Sequence, residues 1–227
     1  MAEKHGKERE VSFVDKETAR WLAEERPKDG LCLDRFHADV VMDGVSDWKQ
    51  GQVVQAPSGM WYQISQTGKS CFDQCLLLQN TGKKCTLADS VAFGKPVKTV
   101  KVPSIDEWMA EAKKHKSAGK VGMYLVHNGI VRESSKAAVR EGRRQETAVK
   151  AMEFDFNATK VEAAAADTYN MPGIYYIRIW LAKGVLSVGD DIMYVLVGGD
   201  IRPNVIDALQ YLVGRIKNEC VLEKELF

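Results

Sequence analysis

Two apolar runs set close together constrain this chain most: "GIYYIRIWLA" at residues 173–182 and "DIMYVLVGG" at 191–199. Both are of strand length, and only "KGVLSVGD" joins them, so the pair is expected to run antiparallel. The segment "RPNVIDALQYLVGRIKN" comes next as a helix, with Pro203 in its first turn, where a missing N–H costs little. Val205, Leu209, Leu212, Val213 and Ile216 make its apolar face. Upstream, "SIDEWMAEAKKHKSAG" reads as a helix capped by Ser104, with Glu107 completing a capping box. The strand "KVGMYLVHNGIV", the polar and basic stretch "RESSKAAVREGRRQE", the strand "AVKAMEFDFN" and an Ala-rich helix stopped before Pro172 complete the block. Strands and helices are mixed, which predicts an α+β class.

The first half has a different texture. "DKETARWLAEER" predicts an amphipathic helix ending at Pro27. Short strands, "GQVVQAP" and "MWYQISQ", flank a hairpin turn at Pro57, Ser58 and Gly59. "CFDQCLLLQNTG" reads as a short helix closed by Gly82, and "ADSVAFGKPVKTVKV" as extended chain. The expected organisation is an N-terminal helical segment at residues 1–30, a small block at 31–102 and a larger domain at 103–227.

The bulk numbers exclude some functions. Lys and Arg total 32 against 31 Asp and Glu, which is not the field of a nucleic-acid binder. The start, "MAEKHGKEREVSFVDKE", lacks the apolar core of a signal peptide, and no apolar run approaches the roughly 18 residues a membrane span needs. A cytoplasmic location is expected. Five cysteines (Cys32, Cys71, Cys75, Cys85 and Cys220) are an odd number for a reducing compartment, which argues against a disulfide framework. Zinc on Cys71, Cys75 and Cys85, with His37 as a distant fourth ligand, is a rival reading. Yet no CxxC pair occurs, and buried small thiols are the plainer alternative. No metal site is expected.

No phosphate loop, GxSxG elbow, HExxH or dinucleotide fingerprint occurs, and the four histidines, His5, His37, His115 and His127, are too few for a multi-histidine metal centre. What remains is cationic: Arg132, Arg140, Arg143, Arg144, Arg202, Lys217 and Lys224 all lie in the second block. Arginines suit a phosphate, and a desolvated lysine serves as nucleophile or general base. Solvated lysines complementing a helix dipole are the competing account. Lys217 and Lys224 share a face if the last helix continues. If it ends near Cys220, the tail folds Lys224 back across a cleft.

Two stretches resemble a known family. "GMYLVHNGIVRE" (122–133) resembles the "GAxxxFxGxVRx" strand and turn of the molybdopterin synthase catalytic (large) subunit. "GVLSVGDDIMYVLVGGDIRPNVIDALQYLVGRIKNECVLEKE" is similar to that family's valine-rich strand, His-Arg pair and final helix with its lysines. The resemblance spans about residues 104–227 and implies an α/β hammerhead-type domain. It places Arg132 and Arg202 on substrate-binding arginines and Lys217 and Lys224 on the catalytic lysines of sulfur transfer. It also marks departures: Ile201 for a histidine, Leu181 and Ala182 for an earlier His-Arg pair, Glu223 for a tryptophan and His127 for a phenylalanine.

Three stretches of the first half, "DRFHADVVMDGV", "WYQISQTGKSCFDQC" and "VAFGKPVK", resemble the C-terminal half of a MOSC domain, named for molybdenum cofactor sulfurases. That resemblance implies a small, mostly β, partial barrel with Cys71 as a sulfur-carrying residue. Together the two imply molybdenum cofactor biosynthesis. Sulfur would reach cyclic pyranopterin monophosphate from the thiocarboxylated Gly-Gly tail of a small ubiquitin-like subunit, with the large subunits paired as a homodimer. No cofactor is required, although binding of molybdopterin or the molybdenum cofactor fits the same site. The alternative is a non-catalytic cofactor- or sulfur-binding protein, with a degenerate synthase domain as dimer scaffold.

Overall fold

The structure, a computed structural model, describes residues 11–24, 36–83, 85–97, 102–142 and 147–227. Cys32, His5, Arg143 and Arg144 lie outside the described residues. The chain forms two compact units, Met1–Pro57 with Trp61–Val97, and Ser58–Met60 with Lys98–Phe227.

The first unit contains β1 (Val11–Asp15), α1 (Lys16–Glu24), β2 (Val40–Met42), β3 (Val53–Gln55), β4 (Trp61–Thr67), α2 (Leu76–Thr81), α3 (Thr86–Asp89) and β5 (Val91–Pro96). Its sheet runs β2-β1-β5-β4-β3, parallel only between β1 and β2. Phe13 of β1 and Tyr62 of β4 are fully buried and meet edge to face at 5.3 Å. This geometry suits the opposed charge of ring face and ring edge. In the opening segment β1 precedes the helix and pairs on both sides within the sheet. The first four residues of β1 are buried, as a strand inside a sheet requires. Among the described residues β2 and β3 are the edges of this sheet.

The second unit contains α4 (Ile105–Ala112), β6 (Met123–Ile130), α5 (Lys136–Glu141), β7 (Ala151–Phe156), α6 (Ala158–Tyr169), β8 (Ile174–Leu181), β9 (Gly184–Ser187), β10 (Asp191–Gly199), α7 (Arg202–Arg215) and β11 (Val221–Leu226). Two antiparallel three-stranded sheets result, β6-β10-β8 and β11-β7-β9. β10 explains the uninterrupted apolar run: it is the central strand and both its faces are covered. Tyr194 and Leu196 pack with Trp108 and Ala112 of α4 on one face. Val195 and Val197, which alternate with them, are fully buried.

α7 lies against β10 and β6 and buries Val205, Ala208 and Leu212 completely. Gly199 permits this approach, since a Cβ there would stand 2.8 Å from a Val205 methyl. Ser104 caps α4 as expected, its side chain accepting the Glu107 N–H. α4 is further pinned by Arg178 of β8, whose guanidinium lies 4.7 Å over the Trp108 ring and pairs with Glu111.

Candidate functional site

The site is built where four elements of the second unit end together. β6 supplies its last two residues, and Val131 then fixes the exit: its side chain is buried and its N–H donates to Asp190 O at 2.9 Å. Burying Val131 turns the next side chain outward. Arg132 is therefore exposed, with Nε donating to Ser134 O at 3.0 Å. α5 comes next, its first turn capped by the Ser135 hydroxyl accepting from Ala138 N at 3.1 Å. Lys136 and Arg140 are four residues apart on this helix and share a face.

α7 contributes at its C-terminal end. The helix widens into a π turn, Ile216–Cys220, which buries Ile216 and Cys220. One wide turn between two buried anchors leaves Lys217 exposed on the cleft side. Such π insertions recur at functional sites because they re-aim side chains without ending the helix. β11 then pairs with β7 and brings the alternate residues Glu223 and Glu225 to the same side.

The result is a cleft of about 190 Å³ in which Arg132, Lys136, Arg140 and Lys217 face Glu223 and Glu225. Enclosed sites for whole drug-sized molecules run from roughly 300 Å³ upward. This cleft fits a phosphate and part of an attached group. Glu223 is well buried, its side chain 9% exposed, and it forms an ion pair with Lys136. Glu225 accepts the Lys136 backbone N–H at 2.8 Å.

Of the four cations that the resemblance marks, two line the cleft and two do not. Arg132 and Lys217 line the one cleft. Lys224 stands in register with Glu153 of β7, between Glu223 and Glu225, so strand alternation sends it to the opposite face of β11. Arg202 is exposed in the first turn of α7. Fourteen residues at about 1.5 Å each put it about 20 Å along the axis from the cleft end of that helix. The four therefore do not line one cleft in this chain. Glu223, which stands where the resembled family has a tryptophan, pairs with Lys136. Leu181 and Ala182, at the positions of a His-Arg pair in the resembled family, are buried apolar side chains.

His127 sits one layer behind the cleft. It faces the same way along β6 as Gly129, which lines the cleft. A Cβ on Gly129 would stand 3.7 Å from His127 Nε2. That nitrogen is buried and has no hydrogen-bond partner. Burial first, and then the Lys217 charge, push the imidazole's pKa below its usual value, so it is neutral near pH 7.

Lys136, Glu225 and the placement of His127 escaped the sequence reading. The Lys136–Arg140 spacing was the available signal for the first, hidden inside a stretch that read only as polar.

The first unit holds Cys71, Cys75 and Cys85, which like Cys220 make no disulfide. Among the described residues no group of three His, Cys, Asp or Glu side chains is placed to hold a metal ion. Cys71 is half-buried and Cys75 buried. The helix expected to start just after Cys71 begins at Leu76 instead, with Cys75 at its N-cap position. The proximity of a helix N-terminus therefore applies to Cys75. Lys69 lies with its ammonium 5.5 Å over the Phe36 ring.

No curated protein matches the chain, whereas several solved structures resemble just over half of it. Molybdopterin synthase from Staphylococcus aureus is similar in structure at 21% identity, over 55% of this chain and 86% of that one, with a TM-score of 0.44. The molybdopterin biosynthesis MoaE protein from Burkholderia ambifaria MC40-6 is similar at 20% identity, over 56% and 79% of the two chains, with a TM-score of 0.44. A complex of subunits 1 and 2 of molybdopterin-converting factor from Helicobacter pylori 26695 matches at 14% identity, over 55% and 80%, with a TM-score of 0.41. Residues 100–219, more than half the chain and including Arg132, Arg202 and Lys217, match the MoaE protein family. The chain therefore belongs to the MoaE family, that of the molybdopterin synthase large subunit.

Proposed function

We propose that this protein acts in molybdenum cofactor biosynthesis as a molybdopterin synthase-type large subunit. Its cleft takes the phosphate end of an anionic pterin, cyclic pyranopterin monophosphate. Sulfur arrives as the C-terminal thiocarboxylate of a small Gly-Gly-tailed carrier subunit and is built into the dithiolene. Arg132 holds the phosphate through its planar fork of donors, and Lys217 supplies the amine for acid–base or nucleophilic work. The observation that carries this reading is that Arg132 and Lys217, about 85 residues apart in sequence, line one cleft in a chain of this family. Lys224 and Arg202 lie outside that cleft, so any part they take needs a second chain, for which the expected homodimer is the source. Among the described residues no helix is long and apolar enough to cross a membrane.

The test is formation of molybdopterin from the precursor and the thiocarboxylated carrier. The wild-type protein should make product, and Lys217→Ala should make none while keeping its thermal midpoint. No product from the wild-type protein, with a carrier active towards another synthase, would overturn the enzymatic reading.

One observation favours a second reading, in which the first unit carries sulfur on Cys71. Cys71 is partly accessible, whereas Cys75 is 6% exposed. Alkylation under native conditions should then label Cys71 well before Cys75. Preferential labelling of Cys75 would end that assignment.

A further inference from the structure

We infer that Arg215 is a positioning residue, which clamps the π turn from the side away from the cleft and so aims Lys217. The inference rests on the reading that Lys217 is the working amine of the cleft, and adds what holds that amine in place.

A π turn is a rare form of helix, and Ile216–Cys220 is held by contacts from outside it. The Arg215 guanidinium donates to Glu219 Oε2 through Nη2 at 3.1 Å and through Nε at 3.2 Å. Its Nη1 pairs with Asp167 of α6 and donates to the Tyr211 hydroxyl at 3.0 Å. The Glu219 carbonyl accepts from Lys160 Nζ of α6 at 3.0 Å. The Cys220 carbonyl accepts from the N–H of Asn157, the cap of α6, at 2.8 Å. Within the turn, Cys220 Sγ donates to Arg215 O at 3.6 Å. Lys217 stands two residues from both Arg215 and Glu219, so it faces the other way, into the cleft.

Helix stability alone does not explain these charges. Asp167 lies in the last turn of α6 and Glu219 at the end of the α7 extension, where a carboxylate meets the negative pole of a helix. The Arg215–Glu219 pair also runs in the weaker order, since an i,i+4 pair is stronger with the acid first. Two ill-placed carboxylates thus converge on one guanidinium, whose planar fork holds both at once. What they fix is the direction in which Lys217 leaves the helix. His127 reports that direction. Its Nε2 is buried behind Gly129, and burial first, then the Lys217 charge, lowers the imidazole pKa. An ammonium that swings out of the cleft releases the second effect.

The test is a histidine titration of the full chain by NMR, with the His127 signal assigned through His127→Phe. Lys217→Ala should raise the His127 pKa, and that rise sets the full effect of the Lys217 charge. Arg215→Gln and Arg215→Lys should each raise it by at least about half as much, although the second keeps its charge. Glu219→Gln should raise it too. Direct electrostatics predicts the reverse there, since removing a nearby anion lowers a histidine pKa. In the Lys217→Ala background none of these changes should raise it further. Should Arg215→Gln fail to fold, the exposed and isosteric Glu219→Gln still decides the sign. A fall or no change in folded Glu219→Gln and Arg215→Lys overturns the clamp. So does a further rise in Arg215→Gln/Lys217→Ala, which makes the action on His127 direct. If Lys217→Ala itself leaves His127 unchanged, Lys217 is not seated in the cleft and the positioning role falls. In the molybdopterin assay, Arg215→Gln should lower kcat about tenfold and keep KM for the pterin within about twofold, because Arg132 holds that substrate. A raised KM with kcat unchanged overturns the role. If the wild-type protein makes no product, the sulfur-transfer reading falls, and the titration decides the clamp without it.

Discussion

The two ends of α7 begin from the same sequence logic and end differently. At the N-terminal end, Arg202 succeeds the β10 turn and stands exposed. At the C-terminal end the helix widens into a π turn, and Lys217 enters a cleft with Arg132, Lys136 and Arg140. The resemblance in sequence suggests a role for both residues, yet only one is gathered with others in this chain. The difference lies in the path of the chain beyond each end. After Cys220 the chain returns as β11 along β7, which closes a wall opposite α5. Before Arg202 the chain is a tight junction, where Asp200 Oδ1 accepts from Ile201 N at 2.6 Å and from Asn204 Nδ2 at 2.9 Å. That junction is satisfied locally. A cation becomes part of a site when the chain beyond it turns back to build a second wall.

The largest expected effect removes what both ends share. Leu212 is fully buried between them, and Leu212→Ala should cost about 2–5 kcal/mol, from lost burial plus the cavity left behind. Denaturant unfolding would measure it, and a loss under about 1 kcal/mol would mean that α7 is not seated as described. The next effect separates the ends. Lys217→Ala and Arg132→Ala should leave stability within about 0.5 kcal/mol, as exposed substitutions usually do, and weaken phosphate binding about tenfold. Arg202→Ala and Lys224→Ala should change that binding less than about twofold in the isolated monomer. Equal losses at both ends would erase the comparison.

The smallest effect concerns His127. An unpartnered buried nitrogen costs about 1–3 kcal/mol, and this side chain is only partly buried, so His127→Phe should gain about 1 kcal/mol at most. The pH dependence supplies the sign. The folded-state pKa is lowered, so above the ordinary value of 6.5 neither state binds the proton and His127 contributes no slope. As pH falls below 6.5 the unfolded chain takes up the proton first, and the fold loses stability. The wild-type protein should lose more stability than His127→Phe between pH 7 and pH 5. A parallel decline in both would place the titrating group elsewhere.

Much of the second unit was legible from pattern alone. The runs at 173–182 and 191–199 are β8 and β10, and Ser104 and Pro203 mark helix starts where side-chain chemistry requires them. What escaped is short, edge-placed or dependent on partners. β1 is five residues ahead of a stronger helical signal, β9 is four residues inside a turn-rich link, and β11 reads as a charged tail because one of its faces is polar. The site was half legible for the same reason. Residue type and resemblance indicate Arg132 and Lys217. Whether Lys224 faces in or out depends on strand alternation in β11, which a helix-or-tail reading of residues 217–224 did not contain. The Glu223–Lys136 pair joins residues 87 positions apart and leaves no local trace in sequence.

The most direct measurement of the central claim is amine footprinting, read by mass spectrometry, with and without cyclic pyranopterin monophosphate. If the cleft at the C-terminal end of α7 is the ligand site, Lys217 and Lys136 lose reactivity when the pterin is present, and Lys224 on the opposite face of β11 keeps its own. Protection of Lys224 with Lys217 unchanged would contradict the account.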